Sequence, residues 1–103
     1  MPKFLFKASY TSDGLKLLRK DKASGRKTAV HAAVEGLGGK LEAMYYTFGD
    51  DDVIAIVELP DNASAAAFSL AASSSGISHT TTTPLLTLDE ADIALGKTVS
   101  FRP

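Results

Sequence analysis

The sequence predicts an α+β domain in which four antiparallel strands carry two helices on one face. Three observations lead there. Leu41 to Pro60 reads as two strands joined by a tight turn, alternating before it and almost continuously β-branched from Val53 to Val57 after it. An alternating stretch opens the chain, and a threonine-rich one begins at Ile77. Between these strands lie two segments of helical character, each followed by glycine.

Taken in order, Phe4, Phe6, Ala8 and Tyr10 alternate with Leu5, Lys7 and Ser9, the period of a strand. Thr11 to Gly14 ends it and offers N-cap oxygens to a helix. The helical pattern starts at Leu15, Leu17 and Leu18, then fades from Arg19 to Gly25, which predicts a break with Ser24 capping a second segment. Ala29, Val30, Ala33, Val34 and Leu37 restore an apolar stripe, and Gly36-Leu37-Gly38-Gly39 stops it. In the hairpin, Leu41, Ala43, Tyr45 and Thr47 are expected on one face and Glu42, Met44, Tyr46 and Phe48 on the other. Gly49 to Asp52 makes the turn, with Gly49 free to take positive φ and the aspartates able to bond nearby backbone.

Pro60 closes the hairpin and Asp61 stands at the N-cap of a second helix, Ala63 to Ala72, whose small side chains suit a close approach to the sheet. Ile77 to Leu88 reads as the fourth strand, with Ile77, His79, Thr81, Thr83 and Leu85 on one face and Pro84 marking an edge or a bulge. Asp89 to Gly96 reads as a short helix capped by Asp89, and Lys97 to Pro103 as an extended tail lying on its own subunit or a neighbour's.

At 103 residues the chain is read as one domain, residues 1–103, with a core over about 3–96 and a tail over 97–103. It has no cysteine, which excludes disulfides, thiolate metal sites and cysteine nucleophiles and suits a reducing cytoplasm. Eleven basic against 12 acidic residues, a net charge of −1, provide no basic surface for nucleic acid. No stretch approaches the roughly 20 apolar residues of a membrane span, and the opening Met1 to Lys7 is too short in apolar residues for a signal peptide.

Strand, helix, strand, strand, helix, strand is the order of the ferredoxin-like split βαβ fold. Its helices cover one sheet face only, and the other needs a cover. Stacking sheet on sheet in a two-fold homodimer supplies it and closes a dimeric α+β barrel; a higher homo-oligomer is the extension of the same idea.

Gly38-Gly39-Lys40-Leu41, followed by Tyr45-Tyr46-Thr47-Phe48-Gly49-Asp50-Asp51-Asp52-Val53, resembles the GYD domain of the dimeric α+β barrel superfamily. Ile56 to Asp61, the alanine-rich helix and Thr81-Thr82-Thr83 leading into Leu85 fit the same pattern, so the resemblance spans nearly the whole chain. Gly49 and Asp52 match the name-giving motif, whereas Asp51 stands where the family has tyrosine. The resemblance implies a dimeric ferredoxin-like fold and no established reaction. Relatives in the superfamily include cofactor-free monooxygenases, small-ring isomerases, haem-handling enzymes and amino-acid-sensing domains, so the fold does not specify the function.

Among side chains able to carry chemistry, His79 is the foremost, as a proton-transfer group or as a plain strand-end histidine. Tyr10, Tyr45, Tyr46, Phe6 and Phe48, with Phe4, supply aromatic surface for a small apolar or aromatic ligand, or for core and interface packing. Tyr45 and Tyr46 are adjacent, so only one of them can face a given pocket. Asp50, Asp51 and Asp52 diverge around a tight turn, which favours turn chemistry over a metal site, and His31 and His79 are too far apart to pair as metal ligands. Arg19, Lys20, Lys22, Arg26 and Lys27, interleaved with Asp21, read as a solvated basic surface. No nucleophile motif or cofactor fingerprint is present, so no cofactor is expected. Two functions fit: a dimeric small-molecule-binding or regulatory domain, or a cofactor-free monooxygenase- or isomerase-like enzyme using His79.

Overall fold

The computed structural model describes residues Met1 to Pro103. Along the chain run β1 (Lys3–Tyr10), α1 (Ser12–Gly36), β2 (Lys40–Tyr46), β3 (Val53–Glu58), α2 (Asn62–Ser74), β4 (Ser78–Leu85) and α3 (Leu88–Leu95). The strands form one antiparallel sheet in the order β2-β3-β1-β4, so the two strands on either side of α1 are separated by β3. This is the ferredoxin-like arrangement expected from the order of elements.

The register sorts the residues into two faces. Phe4 pairs with Val57, Phe6 with Ala55 and Ala8 with Val53, and these residues face the helices. Phe4, Phe6, Ala55, Val57, Leu59, Val34 of α1 and Ala65 of α2 form the buried core. Leu5, Lys7 and Ser9 point the other way, opposite Ile56 and Ile54 on one side and Thr83, Thr81 and His79 on the other.

A bulge changes the reading of β2. Leu41 pairs with Val57 but Ala43 pairs with Ile56, which leaves Glu42 as an extra residue. Leu41 therefore joins Met44 against the core instead of sharing a face with Ala43 and Tyr45. Glu42 is thrown to the open face, where it ion-pairs with Lys3. Unbroken alternation is the expectation the bulge overturns. The fourth strand is also shorter than its threonine content suggested: Ile77 precedes it and Leu86 to Leu88 leave it. Pro84 sits on β4 at the sheet's edge, where its missing N–H breaks no ladder.

Thr11 caps α1, its Oγ1 accepting the Gly14 N–H at 3.1 Å. The expected break is a kink at Lys22 (φ 64°, ψ 170°), two residues before Ser24. That backbone region is essentially glycine's, so a lysine there carries strain. Gly38, at φ +79°, ends the helix, and the N–H groups of Gly38 and Gly39 bond the carbonyls of Glu35 and Val34. Gly39 also lets β2 start against β3: a Cβ there would lie 2.3 Å from the Glu58 carbonyl oxygen.

Asp61 caps α2 as expected, accepting the Ser64 N–H at 2.8 Å. Ala65, 2 % exposed, is where α2 comes down onto the sheet. The cap of α3 is Thr87, not Asp89: Thr87 and Glu90 exchange side-chain-to-backbone bonds in a capping box. Gly96 ends α3 as expected. None of the α3 residues is buried, and Leu86, Leu88, Ile93, Leu95, Val99 and Phe101 are all exposed. The chain's radius of gyration, 15.8 Å, exceeds the roughly 13 Å of a compact 100-residue domain. Residues 86–103 thus form an apolar arm beyond the sheet.

Candidate functional site

Where the core ends, a cavity begins. Val34 fills the space above Phe4, but one and two turns earlier α1 presents Val30, Ala33, Ala29 and Arg26, and most of these are small. On the facing side α2 presents Phe68, Ala71, Ala72 and Ser75. The alanines that were expected to draw the helix onto the sheet do so at Ala65, but at Ala71 and Ala72 they leave space. The result is a cavity of about 290 Å3 between the sheet and the two helices.

Its floor is the helix-facing side of the central strands: Phe6, Ala8 and Tyr10 of β1, Val53 and Ala55 of β3, and Met44 of β2. Phe6 meets Phe68 of α2 with ring centroids 4.8 Å apart and planes tilted by 52°, a favourable aromatic contact that forms the apolar end. The opposite end is polar. There Tyr10 pairs across the β1–β4 ladder with Ser78, and its hydroxyl lies 3.2 Å from that of Tyr46. Burial, and then the hydrogen bond to Tyr10, push the Tyr46 phenol well above its usual range, while the Arg26 charge opposes the shift. The Tyr46 phenol is therefore neutral at physiological pH and meets Tyr10 as an uncharged hydroxyl.

Arg26 stands with them. Its side chain is 18 % exposed, and its nearest anionic neighbour, the Asp21 carboxylate, is 3.6 Å away across the kink at Lys22. Its Nε is buried and makes no hydrogen bond. Expecting a solvated basic cluster fails for this residue, because regular helical spacing back from Val34 turns Arg26 to the inner face. The apolar i, i+4, i+8 line running back from Val34 through Val30 to Arg26 was the available signal.

Of the aromatic residues expected to line a ligand site, Phe6 and Tyr10 line this cavity and Tyr46 is bonded to Tyr10. Tyr45 is 66 % exposed on the sheet's open face, and Phe48 is fully exposed in the β2–β3 loop. His79 is exposed on the open face, opposite Ser9 on the edge strand. The sheet separates it from the cavity, which contains no histidine.

The turn residues hold the polar end in place. The Asp52 carboxylate accepts the Tyr10 backbone N–H at 2.7 Å, its own N–H donates to the Ala8 carbonyl at 2.9 Å, and its carbonyl accepts the Thr47 N–H at 2.8 Å. The Thr47 hydroxyl donates to the Asp51 carbonyl, and Ser9 Oγ to the Asp50 carbonyl. Asp52 accordingly ties the end of β1 to the hairpin. Gly49 does not use the positive φ expected of it, and a Cβ there would meet open space.

No helix is long and apolar enough to cross a membrane. No curated protein and no solved structure gives a significant match to the chain. The family model for the GYD domain matches residues 4–95, which hold the whole sheet, α1, α2 and the Asp52 tie, and the chain belongs to the GYD domain family.

Proposed function

We propose that this chain is a homodimeric small-molecule-binding domain of the cytoplasm, with its ligand in the cavity between the sheet and the two helices. The cavity carries the reading. A cleft of about 290 Å3, open on one side, with an apolar floor and a few polar groups at one end is what a small ligand site requires. The gap lies opposite alanines on both helices, whose small side chains leave the floor of Phe6, Ala8 and Ala55 uncovered there. A chain without cysteine suits the reducing compartment.

The dimer rests on surface area. The chain exposes 7106 Å2, against roughly 5,500 Å2 for a compact monomer of its mass. The excess lies on two surfaces. One is the open sheet face, with Leu5, Ile54, Ile56 and Ala43; the other is the arm with Leu88, Ile93 and Phe101. The excess, about 1,600 Å2 per chain, is twice the roughly 800 Å2 a standard interface removes from each partner, so it calls for a large interface that combines sheet stacking with the arms laid across the partner. Enzymatic use of His79, as in a cofactor-free monooxygenase or isomerase, would need a second space closed over that open face by the partner.

Native mass spectrometry of the protein taken from cell extract tests both parts, with Ala72→Phe as the cavity-filling control. The expected result is a dimer carrying a small-molecule adduct that the variant lacks. A monomer at micromolar concentration overturns the dimer. Adduct-free protein that also fails to take up an apolar probe such as toluene overturns the binding site.

A further inference from the structure

We infer that the cavity selects a monocarboxylate with a compact apolar body, and that Arg26 is the residue that binds its carboxylate. The inference rests on the cavity being the ligand site, and it adds the ligand's charge and orientation.

A guanidinium offers five N–H donors in a planar fork suited to a carboxylate. In this structure that fork is underused. Nε is buried and unbonded, and the one carboxylate nearby, Asp21, is beyond hydrogen-bond distance at 3.6 Å. A guanidinium that lines an apolar cavity and makes no hydrogen bond of its own is costly to leave so, and it can take an acceptor brought by a ligand. None of the wall hydroxyls, those of Tyr10, Ser75, Ser78 and Thr80, is hydrogen-bonded to the guanidinium in this structure. Ser78 Oγ is within bonding distance of the Ala72 carbonyl, and the Tyr10 hydroxyl is bonded to Tyr46.

Shape gives the remainder of the ligand. From the Arg26 end the cavity runs along β1 to the Phe6–Phe68 pair, over alanine and valine side chains. At about 290 Å3 it is at the small end of ligand sites. A phenyl ring or short alkyl chain fills the apolar end while its carboxylate reaches Arg26. A dianion would place its second charge on that apolar floor, and a cation would meet the guanidinium.

The test compares 4-phenylbutanoate with its neutral isostere 4-phenylbutanamide, by calorimetry and by the 15N–1H signal of the Arg26 Nε–H, in the full chain. Wild type is expected to prefer the carboxylate by roughly tenfold to a hundredfold, the range for hydrogen bonds to a charged group. The acid alone should move the Nε–H signal. Arg26→Gln should bring the two affinities within about threefold, and retention of toluene by the same variant checks that the cavity is still formed. Arg26→Lys, which keeps the charge and loses the fork, should fall between. Equal binding of acid and amide by wild type, with toluene still bound, overturns the carboxylate inference and leaves the cavity as a ligand site. Failure of all three probes to bind overturns both.

Discussion

Asp52 ties the end of β1, and with it the Tyr10 end of the cavity, to the hairpin, and its removal can be given a magnitude. Its carboxylate accepts the Tyr10 N–H at 2.7 Å, from across the end of β3. Hydrogen bonds to charged groups contribute about 1.5–3 kcal/mol, and partial exposure of this one argues for the lower half. Asp52→Ala removes the acceptor and leaves the Tyr10 N–H with water as its only alternative, for a loss of about 2 kcal/mol. Asp52→Asn keeps the shape and a neutral acceptor and should lose about 1 kcal/mol. The backbone bonds of residue 52 to Ala8 and Thr47 survive in both variants, so neither should unfold the hairpin. Urea denaturation followed by circular dichroism reads the difference as a lower midpoint at unchanged slope. For a domain of this size, 2 kcal/mol lowers the melting temperature by roughly 8–16 °C. The required order is wild type, then Asn, then Ala. Two variants within about 0.5 kcal/mol of wild type would refute a structural role for this carboxylate.

Three other perturbations follow from the backbone and from Tyr46. Lys22→Gly should stabilise the chain by about 1 kcal/mol, the strain relieved less the entropy glycine adds to the unfolded state; Lys22→Ala, which keeps the strain, should give no such gain in the same melts. Gly39→Ala should destabilise by roughly 3 kcal/mol, because its Cβ would lie 2.3 Å from the Glu58 carbonyl oxygen and 2.5 Å from Leu59 Cδ2, whereas Gly36→Ala meets nothing within 4 Å and should be tolerated. Tyr46 binds its proton more tightly when folded, so its contribution is complete below the ordinary phenol value of 10.0 and is lost as pH rises above it. Absorbance at the phenolate band should show a component rising above the ordinary phenol range that Tyr46→Phe removes, and the variant should flatten the alkaline fall in stability; absence of that component would contradict the half-buried Tyr10–Tyr46 hydrogen bond.

Much of the fold was legible because it depends on local chemistry. Period-two alternation marked β1, the β-branched run marked β3, Asp61 marked the start of α2, and Gly38 marked the end of α1. Each signal acts within a few residues of itself. The misread features depend on distant partners. Glu42 is bulged out of β2 toward Lys3, 39 residues away, which turns Leu41 inward against a pattern that alternation alone cannot reveal. The α3 cap is the exception: Thr87 outcompetes Asp89 because Glu90, only three residues on, completes its box, a signal that is local and legible in the sequence.

The site divides along the same line. Sequence alone determined which aromatics exist, that Tyr45 and Tyr46 must face opposite ways, and that Asp52 belongs to the turn. It also determined a sheet with helices on a single side, since that follows from the order of elements. Only the tertiary structure decided where empty space lies. Whether an alanine brings a helix close or leaves a gap depends on the side chain opposite, and Ala65 and Ala72 do opposite things on one helix. It likewise placed His79 outside the cavity and Arg26 within it. A strand residue's side is set by register and a helix residue's by the path of the axis. The composition from Arg19 to Gly25 marked that the helix breaks there, but not that the break is a kink at Lys22 that keeps both parts in one element.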